Sequence, residues 1–310
     1  MTKVFIDGSA GTAGLRIHER IAAREDIELI SVPYELRRDI NARKDAINSA
    51  DVAFLCLPDE GSVEAVGLVE NPDVAIIDTS TAHRTAPGWE YGFPELAGRR
   101  EKIKASKRVA NPGCHASGFV VLVEPLVRAG IIPKELGLSC FSLTGYSGGG
   151  KKMIAQYEAP ELDGALDAPR TYGLDQNHKH LKEMTLIPGL SVPPVFCPVV
   201  ADYYCGMETV TSLFAGDING TAEDIKELYA QIYSGGVVRF NADAGEGLMA
   251  ANKFAGRDDM EITVAGNSER ILLIARFDNL GKGASGAAVQ NMNIITGAQE
   301  TAGLVLGGKV

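Results

Sequence analysis

The alternation of apolar runs with helix-length segments in the first hundred residues constrains the fold more than any other feature. KVFID at 3–7 leads into GSAGTAG at 8–14, then into LRIHERIAARE, whose apolar residues recur at helical spacing. Three further apolar runs follow, IELIS (27–31), VAFLCLP (52–58) and VAIID (74–78), with helix-length segments between them. Strands alternating with helices are buried on both faces, which predicts an α/β, doubly wound parallel sheet of Rossmann-like type. Its ligand crevice is expected at the carboxyl ends of the strands.

The glycine turn sits where a dinucleotide site needs it, between a strand and a helix. Gly8, Gly11 and Gly14 are spaced GxxGxxG, a departure from GxGxxG. Ser9, Gly11, Thr12 and Ala13 are expected to line a pyrophosphate, whose charge the helix N-terminus favours. A tight turn in any α/β protein is the plainer reading. After IELIS the chain runs VPYELRRD, with no acid at the strand tip. Arg37 and Arg38 suit the 2′-phosphate of NADP, while Glu35 keeps NAD open. In DTSTAHR (78–84), Arg84 is either an anchor for a substrate anion or a surface charge.

The 310 residues are enough for two cores. A net charge of −10 argues against nucleic acid as the main partner, though a local site can still be basic. No run is long and apolar enough to span a bilayer, and no signal-peptide pattern precedes the first strand, so the cytoplasm is expected. The five cysteines lack CxxC or zinc-ligand spacing. Cys56, Cys140 and Cys197 read as buried small hydrophobes.

NPGCHAS at 111–117 stands apart. Asn-Pro-Gly is turn chemistry, and CHASGFVVLV begins a helix that Pro125 should kink or break. A cysteine at a helix N-terminus meets the positive end of the dipole and free N–H groups that can hold an oxyanion. Cys114 is thus placed for acyl chemistry. Its base is sought in NHKHLKEM, where His180 and Glu183 would share a helix face, the glutamate orienting the imidazole. His115 should point away from its neighbour. GYSGGGKK (145–152) offers N–H groups and lysines to an anion, or is a flexible loop.

Together, GSAGTAG, NPGCHAS, GYSGGGKK, NHKHLKE and NLGKGASGAAVQNMN (279–293) span nearly the whole chain. In that order they resemble the N-acetyl-γ-glutamyl-phosphate reductase family, shorter branch, and more distantly the aspartate-semialdehyde dehydrogenases. The resemblance implies a Rossmann-like NADP-binding domain (1–117 plus 285–310) and an α+β catalytic and dimerisation domain (118–284). It implies that a helix at 284–304 returns to the first domain, and that TAEDIKELYAQIYS forms a helix capped by Thr221. It also implies reduction of N-acetylglutamyl 5-phosphate by NADPH through a thioester on Cys114, in arginine biosynthesis, by a homodimer or homotetramer. Asn279 and Gly281 are then expected at the cofactor, and Asn111, Ser147, Gly148 and Arg84 at the substrate. The chain departs from the family's NPGCY-Pro-Thr at His115, Ala116 and Ser117. Aspartate-semialdehyde dehydrogenase, a Cys-His-Glu hydrolase and a non-catalytic NADP-binding protein are the competing readings.

Overall fold

The computed structural model describes residues 1–161, 163–245 and 247–307. The chain forms two compact units, Met1–Gly113 with Ala284–Leu304, and Cys114–Gly283 with the residues from Val305 on.

The first unit follows the predicted alternation: β1 (Thr2–Asp7), α1 (Thr12–Ile21), β2 (Ile27–Ile30), α2 (Ile40–Ser49), β3 (Val52–Leu55), α3 (Asp59–Gly67), β4 (Ala75–Asp78), β5 (Glu90–Tyr91), α4 (Arg99–Ala105) and β6 (Arg108–Ala110). Its sheet runs β2-β1-β3-β4-β6-β5, and every pairing is parallel. The two faces bury different residues of the same strands. Val4, Ile6, Phe54 and Ile77 fill one core with Ile17 and Ile21 of α1, while Phe5, Leu55 and Ile76 fill the other with Ile47 of α2. That period-two split is what a sheet covered on both sides requires.

The second unit opens with α5 (Cys114–Arg128), followed by β7 (Ser139–Gly145), α6 (Gly150–Tyr157), β8 (Arg170–Thr171), α7 (Leu181–Leu186), β9 (Val195–Ala201), β10 (Met207–Phe214), α8 (Ala222–Ile232), β11 (Ser234–Gly235), β12 (Val238–Phe240), β13 (Met260–Gly266) and β14 (Arg270–Phe277). The strands form one mixed sheet, β11-β12-β13-β14-β10-β7-β9-β8. Helix α5 packs on β10 and β14, and it is buried over most of its circumference. The sheet's other face leaves Phe141, Val195, Phe214 and Leu272 exposed. Thr221 caps α8 with a reciprocal box through Asp224, as expected. The chain then returns to the first unit with α9 (Gly286–Thr296), which packs on α1, α4 and β4. Gly297, left-handed at φ 73°, ends α9 well short of residue 304.

Three expectations are corrected. The unit boundary falls after Gly113, not after residue 117, because α5 from its first residue belongs with the second sheet. The residues from Val305 on group with the second unit, where Val305 and Asp258 exchange hydrogen bonds of 2.7 and 2.8 Å. Pro125 does not break α5. A proline cannot donate to the carbonyl four residues back, here Val121. Tyr233 donates its hydroxyl to that oxygen at 2.7 Å, and Tyr229 donates to the carbonyl of Leu122.

No helix among the described residues is long and apolar enough to cross a membrane.

Candidate active site

The first unit carries a pocket of about 760 Å³ at the carboxyl ends of β1 and β2. Gly8, Ser9, Ala10 and Gly11 form one wall. Gly8 has φ +83°, and a Cβ there would lie 2.3 Å from the carbonyl oxygen of Cys56. A Cβ on Gly14 would lie 2.5 Å from the carbonyl oxygen of Gly8. The turn therefore closes only with glycine at both positions, and it leaves backbone bare at the mouth of α1, the cradle a pyrophosphate needs. Thr12, Ala13 and Gly14 lie in the first turn of α1, behind that wall and outside the lining.

Arg37 and Arg38 line the pocket beyond β2, and Glu35 does not. The Arg37 guanidinium stacks 3.6 Å from the Tyr34 ring centroid and donates to the Tyr34 carbonyl at 2.5 Å. Arg43 is a lining residue that sequence reasoning missed. It bridges Asp7 at 3.0 Å and Glu64 at 2.9 Å. Burial raises the Asp7 carboxyl above its ordinary range, with Arg43 opposing.

Asn111 and Arg84 lie in the first unit with their polar atoms engaged. Asn111 is buried and donates its side-chain amide to the Ala284 carbonyl at 2.9 Å. Arg84 donates to the carbonyls of Asn111 (2.9 Å) and Thr79 (3.0 Å).

In the second unit Cys114 is the first residue of α5 and partly exposed. Gly283 packs against it, since a Cβ there would come 3.0 Å from the Cys114 Cβ. Asn279 and Gly281, expected at the cofactor, belong to this same turn. Asn279 donates to Ser147 Oγ at 2.9 Å and accepts from the Gly206 N–H at 2.9 Å. A Cβ on Gly281 would lie 1.9 Å from the Arg257 carbonyl oxygen. Ser147 is buried, and Gly148 follows it beside Thr144 and Asn279. GYSGGGKK is therefore an ordered segment, a 3-10 turn at Tyr146–Gly149 running into α6, with Lys151 and Lys152 exposed.

The histidine segment is a loop leading into α7, not a helix throughout. Gln176, at φ 54°, pins it to β9 by donating to the Phe196 carbonyl at 2.7 Å and accepting the Phe196 N–H at 2.9 Å. His180 is the N-cap residue of α7, and its Nε2 lies 4.0 Å from Glu183 Oε1. That is ion-pair reach, longer than a hydrogen bond. Both side chains are buried. The His178 and His180 rings meet edge-on at 4.7 Å.

His115, the second residue of α5, reaches this cluster. Its ring lies 5.7 Å from His180, 5.9 Å from His178 and 5.3 Å from Phe196. Burial, with His178 adding, lowers its pKa to about 3, so it is a neutral imidazole. Tyr172 Oη lies 2.6 Å from its Nε2. Burial raises the Tyr172 phenol, and the charge of Cys114 raises it further, so the phenol keeps its proton. His115 and Tyr172 carried no sequence signal beyond an imidazole in an otherwise apolar helix start.

The chain matches the Semialdehyde dehydrogenase, NAD binding domain over residues 3–106 and the Semialdehyde dehydrogenase, dimerisation domain over 114–279. It is 44% identical to N-acetyl-gamma-glutamyl-phosphate reductase 2 of Nostoc sp., over 97% of this chain and 99% of that protein. The chain belongs to the N-acetyl-γ-glutamyl-phosphate reductase family. Another member, from Rhizobium leguminosarum bv. trifolii, is 44% identical over 94% of this chain and 98% of its own. The fold is shared with aspartate semialdehyde dehydrogenase II of Vibrio cholerae, at TM-score 0.72 and 16% identity, covering 96% of this chain and 98% of that one. It is shared also with the Candida albicans aspartate semialdehyde dehydrogenase solved with NADP, at TM-score 0.67 and 14% identity, covering 96% and 99%.

Proposed function

We propose that this chain reduces N-acetyl-L-glutamyl 5-phosphate with NADPH to N-acetyl-L-glutamate 5-semialdehyde and phosphate, a step of arginine biosynthesis. What carries the reading is a cysteine at the first turn of a buried helix, backed by buried histidines, in a chain that such reductases match end to end. Cys114 attacks the acyl carbon as thiolate, and the carbon–oxygen bond to phosphate breaks. The acyl group is then a thioester on Cys114, which accepts hydride where a carboxylate does not. N–H groups of the first turn of α5 hold the oxyanion formed at each addition. His180 moves the protons, held by Glu183. Collapse of the reduced adduct frees the aldehyde and restores Cys114.

NADPH, when bound, supplies the hydride. Gly8, Ser9 and Gly11 would hold its pyrophosphate, with Thr12, Ala13 and Gly14 shaping the turn behind them. Arg37 and Arg38 in the lining, with Glu35 outside it, support NADP over NAD. Ser147 and Gly148, fixed by Asn279, are proposed at the substrate's phosphate. Arg84 and Asn111 are proposed to shape the substrate side through the backbone they hold, and Asn279 and Gly281 to set the turn behind Cys114. The exposed apolar face of the second sheet is proposed to pair with a second copy, making a homo-oligomer. Five free cysteines suit a reducing compartment, the cytoplasm.

The test is the reverse reaction, reduced cofactor being followed by absorbance. Signal from N-acetylglutamate semialdehyde that requires phosphate and NADP, and is absent with aspartate semialdehyde, is expected. Equal rates with the two aldehydes would overturn the substrate assignment.

A further inference from the structure

The pocket of the first unit holds a third arginine, to which the reaction above gives no role. Arg43, on α2, lines it together with both of its ion-pair partners, Asp7 at the end of β1 and Glu64 on α3. Its Nε donates to Asp7 Oδ2 at 3.0 Å and its Nη1 to Glu64 Oε1 at 2.9 Å. Only 9% of the Arg43 side chain and 4% of the Asp7 side chain are exposed. The remaining nitrogen, Nη2, makes no hydrogen bond among the described residues. It is not one of the buried polar atoms left without a partner either, so it is accessible, on a side chain that lines the cavity. A guanidinium held at two of its three nitrogens by carboxylates from two other elements has little freedom left to lose when a ligand meets the third.

Charge decides which part of a dinucleotide suits that edge. Two carboxylates share one guanidinium, so the three groups together carry no net positive charge. Burial raises the Asp7 carboxyl, with Arg43 opposing, and protonation of Asp7 would bring the sum to zero and no further. A phosphate therefore gains an N–H there without meeting a net cation, and Glu64, its side chain half exposed, repels it. Arg37 and Arg38 pair with no carboxylate among the described residues, and a 2′-phosphate is drawn to them instead. A neutral acceptor meets no such repulsion at Arg43. The surroundings agree, since Leu29, Ile40 and Leu57 line the same cavity and offer apolar surface to a base.

We propose that Arg43 binds the adenosine half of the cofactor through Nη2, by a hydrogen bond to an uncharged acceptor of the ribose or the adenine, and that it does so for NAD and NADP alike. Arg37 and Arg38 then choose between the two cofactors, and Arg43 does not. This contact rests on the dinucleotide reading of the pocket, and fragments of the cofactor test the two separately.

Binding is measured by calorimetry on the full chain with 5′-AMP and with 2′,5′-ADP, which differ by the 2′-phosphate. Arg43→Met should weaken both by the same factor, about ten- to a hundredfold, the worth of a hydrogen bond from a charged donor. Arg37→Met combined with Arg38→Met should weaken 2′,5′-ADP alone. A loss confined to 2′,5′-ADP in Arg43→Met would make Arg43 part of the phosphate site and overturn the assignment, and no loss would remove Arg43 from the ligand. Direct contact is separated from mere support of the pocket by deleting the acceptor on the ligand. Among 2′-deoxy, 3′-deoxy and ring-deaza forms of AMP, the one lacking the acceptor should bind wild type as weakly as the variant binds AMP, and should lose nothing further in the variant. Equal further losses for every analogue would mean that Arg43 only props the wall. Arg43→Lys keeps a cation between the two acids without the planar fork, and carries the same comparison should Arg43→Met not fold. Wild type that binds neither fragment would sink the dinucleotide reading of the pocket, and Arg43 with it.

Discussion

At the scale of single residues, the proposed site divides labour between a nucleophile and groups that manage protons. Cys114→Ala should abolish reduction while leaving NADPH binding, measured by cofactor fluorescence, close to wild type. Turnover surviving in that variant would remove the thioester. His180→Asn should slow turnover by roughly 10²–10⁴, the worth of a general acid/base, and an unchanged rate would place the base elsewhere. His115 also has a consequence for stability. Its folded pKa of about 3 lies below the ordinary 6.5, so between those values the unfolded chain binds more protons than the folded one. The stabilisation from burying it neutral is complete above pH 6.5 and is lost as pH falls toward 3. Asp26, lowered chiefly by its hydrogen bond from Arg24, acts in the same sense, and Asp7, raised chiefly by burial, in the opposite one. Comparing urea unfolding of wild type and His115→Gln across that range isolates the histidine. The variant should lose stability less steeply on acidification, and parallel curves would contradict a buried neutral His115.

At the scale of elements, two helices show how local rules are kept by distant partners. Helix α5 tolerates Pro125 because Tyr233 supplies the hydrogen bond that proline cannot. Tyr233→Phe should destabilise the protein by about 1–3 kcal/mol, the cost of leaving the buried Val121 carbonyl unpaired. Thermal unfolding measures it, and a change within a few tenths of a kcal/mol would mean water replaces the phenol. The approach to α7 depends instead on Gln176, whose side chain joins β9 as if it were a further peptide group. That clip, rather than helix periodicity, sets His178 and His180.

At the scale of the whole molecule, the two sheets differ in what covers them. The first is covered by helices on both faces, and the alternating buried sets of Val4, Ile6 and Phe5 record it. The second has α5 on one face, with Phe141, Val195 and Phe214 at 43%, 64% and 65% exposure on the other. Those apolar side chains on adjacent strands make a patch that water disfavours. Phe141→Glu with Phe214→Glu should shift sedimentation toward the monomer, while an unaltered oligomer would place the interface on another surface.

What the sequence determined by itself was local or periodic. The strand runs and the glycine turn announced the parallel sheet, because backbone sterics at Gly8 and Gly14 and burial on two faces act within a few residues. Thr221 announced the start of α8, and Cys114 announced itself by standing between Pro-Gly and an apolar helix. Asn279, by contrast, read as a cofactor ligand, and only the tertiary structure joined it to Ser147 and Gly206. His115 read as a residue pointing away from its neighbour, and only the tertiary structure set its ring beside His178 and His180. Its hydrogen bonds reach Ser142 on β7 and Tyr172 beyond β8, 27 and 57 residues away along the chain. No period or motif encodes such a series, because hydrogen bonds between buried side chains depend on which strands become neighbours. That pairing is settled by the packing of a whole core.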